Sequence, residues 1–214
     1  MKFLALNTSF NNTYIVVQNG SNTCEKMTDS HLKQSENVLA VIDECLNNCD
    51  IKIKDLDAIA CIIGPGSFTG IRIGLALTKG FLFGFKNIKF VPITSFELML
   101  AEARNIGIKG EVTCVINALS GKIFAQKFDE KDVANSKAQL FEGEQINSLS
   151  GAVIGLKEEN LSFCNNFVEF SLDVLKRITI KKIENKNFSS EIEPLYIRKS
   201  QAEDELDKKR KQND

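Results

Sequence analysis

Two distant stretches of the 214-residue chain echo one another. Residues 4–17 read LALNTSFNNTYIVV, and residues 114–126 read CVINALSGKIFAQ. Each is an apolar strand, an asparagine (Asn7, Asn117), a short polar turn and a second apolar strand. A chain that restarts in this way is built from two related halves, and that limits it more than any single motif does. The first half begins with strands at 3–6, 14–17 and 23–27, the last two joined at Asn19-Gly20, a strong hairpin signal. Ser35 can cap a helix over 35–47, whose apolar stripe is Val38, Leu39, Val41, Ile42, Cys45 and Leu46. The run 58–63 is wholly apolar and of strand length. Residues 90–93 form another strand, and Thr94-Ser95-Phe96-Glu97 has capping-box spacing that opens a helix to about Arg104.

After Gly107 the pattern restarts with strands at 112–116 and 123–128. Residues 129–149 are polar and read as loop, 152–154 as a short strand, and 167–178 as a helix. From 198 to 214 the chain is almost wholly polar and reads as frayed helix or disorder. Two such halves in tandem are the layout of the actin-like (sugar kinase and Hsp70-like) ATPase fold, an α/β architecture of two related lobes. The expected units are an N-terminal lobe at 1–106, a smaller C-terminal lobe at 107–197 and the charged tail.

In that fold the two hairpin turns face the phosphates of a nucleotide, and phosphoryl transfer needs carboxylates to hold a hard cation. Here both turns carry asparagine, whose amide has neither the charge nor the basicity. The simplest role for Asn7 and Asn117 is to satisfy backbone groups within the turns. Between them, Gly64, Gly66 and Gly70 follow the apolar run 58–63. Their G-x-G-x-x-x-G spacing is neither the dinucleotide fingerprint nor a P-loop. A weak anion site at the following helix N-terminus stays open on general grounds. That helix, 67–83, carries two rows of small residues: Gly70, Gly74 and Thr78, and Ala76, Gly80 and Gly84. Each interior glycine costs about 1 kcal/mol. So many imply close backbone approach, either to the protein's own sheet or to a helix of another chain.

Composition removes several functions. Lys and Arg number 27 against 28 acidic residues, with a net charge of −1 and no basic stripe, so strong nucleic-acid binding by this chain alone is not expected. His31 is the single histidine, which excludes H-E-x-x-H and multi-histidine metal sites. The six cysteines form no C-x-x-C pair, and three lie in apolar runs. Neither a structural disulfide nor a metal site is expected. The N-terminus lacks the apolar length of a secretory signal or a membrane span, so a cytoplasmic protein with no membrane association is expected.

The stretch GPGSFTGIRIGLALTKGF resembles the signature of the bacterial TsaB (YeaZ) family, which reads close to GPGSFTGLRIG before a helix rich in small residues. Four further stretches are similar to that family: FLALNTS, SENVLAVIDECL, INALSGKIFAQKF and EPLYIRKS. The family usually has Asp where this chain has Asn7 and Asn117, and His where it has Gln34. The resemblance implies an actin-like fold without catalysis of its own, and no catalytic residue, metal or cofactor. It implies a scaffold role in making N6-threonylcarbamoyladenosine at position 37 of tRNAs reading ANN codons. The implied partners are the related catalytic subunit TsaD and the ATPase TsaE, with tRNA met only through the complex and a homodimer possible when alone. The implied contact surface is the two helices at 35–47 and 67–83. Its residues would be Ser35, Val38, Leu39, Val41, Ile42, Gly66, Ser67, Phe68, Thr69, Gly70, Arg72 and Gly74. Two other classes compete: an active ATPase or small-molecule kinase of the same fold, disfavoured by the asparagines, and a glycoprotease-like peptidase, disfavoured by the single histidine.

Overall fold

The computed structural model describes residues 1–29, 34–159 and 161–197, with the backbone alone at 29 and 34–37. The expected tail at 198–214 and His31 lie outside the described residues.

The first half begins with β1 (Lys2–Asn7), β2 (Asn12–Asn19) and β3 (Asn22–Asp29), followed by α1 (Gln34–Asn48). Then come β4 (Ala58–Ile62), α2 (Phe68–Gly84), β5 (Lys89–Ile93) and α3 (Ser95–Asn105). The second half holds β6 (Val112–Asn117), β7 (Lys122–Phe128), β8 (Gln139–Glu142), β9 (Ala152–Leu156), β10 (Asn166–Val168) and α4 (Leu172–Glu184). The strands form two five-stranded sheets, ordered β3-β2-β1-β4-β5 and β8-β7-β6-β9-β10. In both, the first three strands pair antiparallel and the last two join in parallel, with β1↔β4 and β6↔β9 as the switch. The echo between the two stretches is therefore a repeat of topology. Asn7 and Asn117 end the equivalent first strands, and the fold is the two-lobed α/β actin-like one.

Sheet pleat explains the apolar runs. In β1, Phe3 and Ala5 face one side and Leu4 and Leu6 the other, all fully buried. A strand covered on both faces reads as continuous hydrophobics rather than as alternation. The inner faces of both sheets, with α3 and α4, share one core that includes Phe96, Met99, Ile116, Leu156 and Leu175. The outer face of the first sheet is roofed by α1 and α2. The second sheet has only 3-10 turns at those positions, Gly143–Ser148 after β8 and Lys157–Glu159 after β9. Its outer cluster shrinks to Val115, Ile123, Ala125 and Cys164 with partly buried neighbours.

The capping box forms as its spacing predicts: Glu97 N donates to Thr94 Oγ1 (3.0 Å) and Thr94 N to Glu97 Oε2 (2.7 Å). Three expectations fail. The helix expected over 167–178 is a strand, β10, followed by α4. Ser171 starts that helix by accepting from Val174 N at 3.2 Å, and Phe170 is held instead against Phe10 across the lobes, ring centroids 4.9 Å apart. The expected loop at 129–149 contains β8, a short edge strand specified by its pairing with β7. Helix α1 begins at Gln34, so Ser35 lies inside its first turn rather than ahead of it.

Candidate functional site

The turn after β1 and the glycine loop after β4 are built as one unit. Asn7 Oδ1 accepts from Ser9 N at 3.0 Å, a local turn that fixes the path of residues 7–9. Asn117 repeats it, accepting from Leu119 N at 2.8 Å. Both asparagines thus satisfy backbone groups of their turns. Ser9 O in turn accepts from Ser67 N (2.7 Å), Thr8 Oγ1 donates to Gly70 O (2.6 Å), and Ser67 Oγ caps α2 by accepting from Gly70 N (3.2 Å). A phosphate at a helix N-terminus uses such free amides. Here those of Ser67 and Gly70 are occupied by the chain's own oxygens.

The glycines explain the fit. A Cβ at Gly70 would lie 1.9 Å from Thr8 O, one at Gly66 would lie 2.5 Å from Ser9 O, and one at Gly74 would lie 2.6 Å from Thr8 Oγ1. The row Gly70, Gly74 and Thr78 therefore packs on this chain's own β1–β2 turn and β4. By contrast, a Cβ at Gly80 or Gly84 would meet nothing within 4 Å. Of the positions expected to face a partner, Gly70, Gly74, Val38 and Ile42 are buried against the protein's own sheet.

The remaining positions divide by exposure. Gly66, Ser67, Phe68, Thr69 and Arg72 are exposed, Leu39 is 50% exposed, and Val41 is half-buried. The Ser35 side chain is not among those described. On α2, Phe68, Arg72, Ala76, Gly80 and Phe83 follow helical spacing along one exposed stripe. Phe68 is 56% and Phe83 85% exposed. The Arg72 guanidinium sits 3.6 Å over the Phe68 ring, a cation–π contact that holds both side chains in place.

Two features were not visible in the sequence. The first is a C-terminal strap. Ser189 bridges to Phe90, Leu195 N donates to Ile63 O (2.8 Å), and Lys79 pairs with Glu193 (2.8 Å). Residues 193–197, the described part of the EPLYIRKS stretch, are thereby brought beside the glycine loop. The second is a pair of carboxylates. The turn Lys157–Glu159 follows β9 as the glycine loop follows β4. Its Glu159 Oε2 accepts from Asn117 N at 2.9 Å, and Glu158 Oε2 accepts from Asn11 Nδ2 at 2.7 Å, a bond between the two lobes. Burial first, then the neighbouring Glu158 charge, push the Glu159 carboxyl up to about 7, against the bond from Asn117. Read as sequence, Lys157-Glu158-Glu159 is an ordinary solvated run. Only the register of the repeat points to it. The asparagine turns therefore have acidic groups beside them, though none within the turns themselves.

Among the described residues, no group of three or more His, Cys, Asp or Glu could hold a metal ion, and no helix is long and apolar enough to cross a membrane.

Comparison with known proteins converges on one family. Residues 28–189 match the family described as "TsaD: tRNA N6-adenosine threonylcarbamoyltransferase". The "tRNA threonylcarbamoyladenosine biosynthesis protein TsaB" of Haemophilus influenzae is 25% identical over 188 residues, 77% of this chain and 79% of that protein. The Bacillus subtilis protein of the same name is 30% identical over 105 residues, 48% of this chain and 44% of that one. The solved structure of YeaZ from Pseudomonas aeruginosa superposes with a TM-score of 0.75 at 16% identity, over 91% of this chain and all of that one. The repeated topology, the glycine loop and these matches place the chain in the tRNA N6-adenosine threonylcarbamoyltransferase family, in its TsaB (YeaZ) branch.

Proposed function

We propose that this chain is a non-catalytic subunit in the formation of N6-threonylcarbamoyladenosine at position 37 of tRNAs reading ANN codons, and that it acts by pairing with a TsaD-type catalytic homologue. One observation carries the reading: the two faces of α2 do opposite work. Its inner glycine row locks the β1–β2 turn against the start of the helix. Its outer stripe offers Phe68, Arg72 and Phe83 to a partner, with Gly80 and Gly84 leaving room for a backbone to approach. Exposed aromatic and arginine anchors are the residues that dominate interfaces. The partner is a homologue because the family that matches this chain is that of the transferase itself. A helix face that meets its own counterpart on a related fold also meets a second copy, so a homodimer forms when the partner is absent. The ATPase TsaE joins the assembled pair. With 27 basic and 28 acidic residues, the chain meets tRNA only through the complex.

The test is co-purification with the host's TsaD, using Phe68→Asp and Phe83→Asp. Both side chains are exposed, so each variant should melt within about 2 °C of the parent. Each should lose the complex on size exclusion and fail to restore the modified nucleoside in a complementation assay. If both variants still pair and complement, the outer stripe is not the interface. If the parent alone shows steady magnesium-dependent ATP turnover that Glu159→Gln abolishes, the chain is an ATPase and the reading falls.

A further inference from the structure

The surface that α1 turns toward β3 holds three thiols. Cys24 lies on β3, and Cys45 and Cys49 lie on or just after the last turn of α1. All are free. Cys24 Sγ and Cys45 Sγ are 2.9 Å apart, the two thiols sharing a hydrogen bond. Cys49 points elsewhere, its Sγ donating to Val17 O at 3.4 Å. The amide of Asn48 donates to Cys24 Sγ at 3.7 Å. Beside them Lys26 pairs with Glu44 at 2.9 Å. Cys24 is 8% exposed, on the edge strand of its sheet, and Cys45 is fully buried.

We propose that Cys24 and Cys45 are a reversible oxidation site, closing to an intrachain disulfide that ties α1 to β3 when the protein meets hydrogen peroxide. A disulfide needs sulfurs about 2.05 Å apart, so side-chain movement of roughly an ångström suffices. The order of events follows from the environment. Cys24 is the more exposed of the two, and burial, then the hydrogen bond shared with Cys24, pushes the Cys45 thiol up, so Cys24 attacks and Cys45 resolves. Cys24 loses its proton, and its sulfur attacks one peroxide oxygen and breaks the O–O bond. The sulfur is oxidised to a sulfenic acid, while the departing hydroxide takes up the proton and becomes water. Cys45 sulfur then displaces hydroxide from the sulfenic sulfur, forming the S–S bond, and its own proton leaves with that hydroxide as a second water. Two thiols and one peroxide thus give one disulfide and two waters. A dithiol reductant reverses the step by exchange.

The experiment uses the full chain, reduced, freed of reductant and treated with graded hydrogen peroxide. It is then denatured, blocked with N-ethylmaleimide and digested for mass spectrometry. The expected result is that the six cysteines take up four maleimides instead of six, with a peptide joining Cys24 to Cys45 that dithiothreitol cleaves. Cys49→Ala should leave this unchanged. Cys45→Ala should abolish the link and leave Cys24 reactive to dimedone, the probe for sulfenic acid. Six maleimides on the oxidised parent, or a joining peptide that runs chiefly to Cys49, would overturn the proposal. Both readings come from the parent protein, so the answer stands even if a variant fails to fold.

Discussion

Substituting Glu159 by Gln should make the protein more stable at pH 8 and leave it unchanged near pH 4. The carboxyl rises from its ordinary 4.5 to about 7 through burial and the neighbouring Glu158. Its native state therefore holds a proton that the unfolded chain gives up. That share of stability is full below pH 4.5, where both states are protonated, and it is lost as pH rises through about 7. The shift corresponds to at most about 3.4 kcal/mol. The side chain is only half-buried, so screening reduces the expected gain to about 1–2 kcal/mol. Glutamine keeps an oxygen to accept from Asn117 N, now made at 2.9 Å, and removes the charge. Urea unfolding of parent and variant at pH 4.5, 6 and 8 measures the difference, provided the slope with denaturant stays constant. Comparing the two proteins cancels the other titrating groups, which both share. A difference that stays the same at all three pH values would refute the reasoning, because then the charge is not what burial penalises.

The two glycine rows make opposite predictions. Gly70→Ala drives a methyl into Thr8 O and should cost about 2 kcal/mol or more, whereas Gly80→Ala has open space and should add up to about 1 kcal/mol from helix propensity; thermal melts of both decide it. Buried Glu102 accepts from Ser171 N (2.7 Å) and Ser171 Oγ (2.8 Å), fixing the start of α4 against α3. Glu102→Ala should lose about 1–3 kcal/mol by leaving those donors unmet, and Glu102→Gln, which keeps an acceptor, should lose less in the same denaturant series.

Strands of the first half were legible because burial on both faces writes itself as unbroken hydrophobics. β1 and β4 needed no tertiary knowledge. The echo of Asn7 in Asn117 was legible because each side chain closes its own turn within two residues. Three-residue β10 and edge strand β8 were not legible, since both are short and only partly buried and are specified by pairing with β9 and β7 rather than by an apolar pattern of their own. The helical spacing of Phe167, Phe170 and Val174 arose from a strand, a cross-lobe contact and a helix that happen to be adjacent. At the candidate site the small-residue rows were visible, but not which row faced inward. That was set by Thr8, whose bond to Gly70 O joins residues 62 positions apart. Glu158 and Glu159 were hidden for the same reason: their role comes from the place their turn takes in the repeat.

The two halves share a topology yet diverge after their fourth strands, β4 and β9, and the proposed partner face lies where they differ. After β4 the first half places a glycine loop and a 17-residue helix; after β9 the second has three residues of 3-10 turn. Likewise α1 has only a 3-10 turn as counterpart. An outer helix layer therefore exists on one lobe alone among the described residues, and the exposed aromatic stripe can only be there. The inner faces cannot diverge as freely. Both sheets, α3 and α4 bury one common core, so a change on one side is felt on the other. The β1–β2 turn closes onto Gly66 and Gly70 without disturbing that core, because the closure lies on the outer side of β1 and β4. The common core and the packed β1–β2 turn together make a rigid platform beneath α2. A rigid platform is what a helix needs to present Phe68, Arg72 and Phe83 in one orientation to a partner.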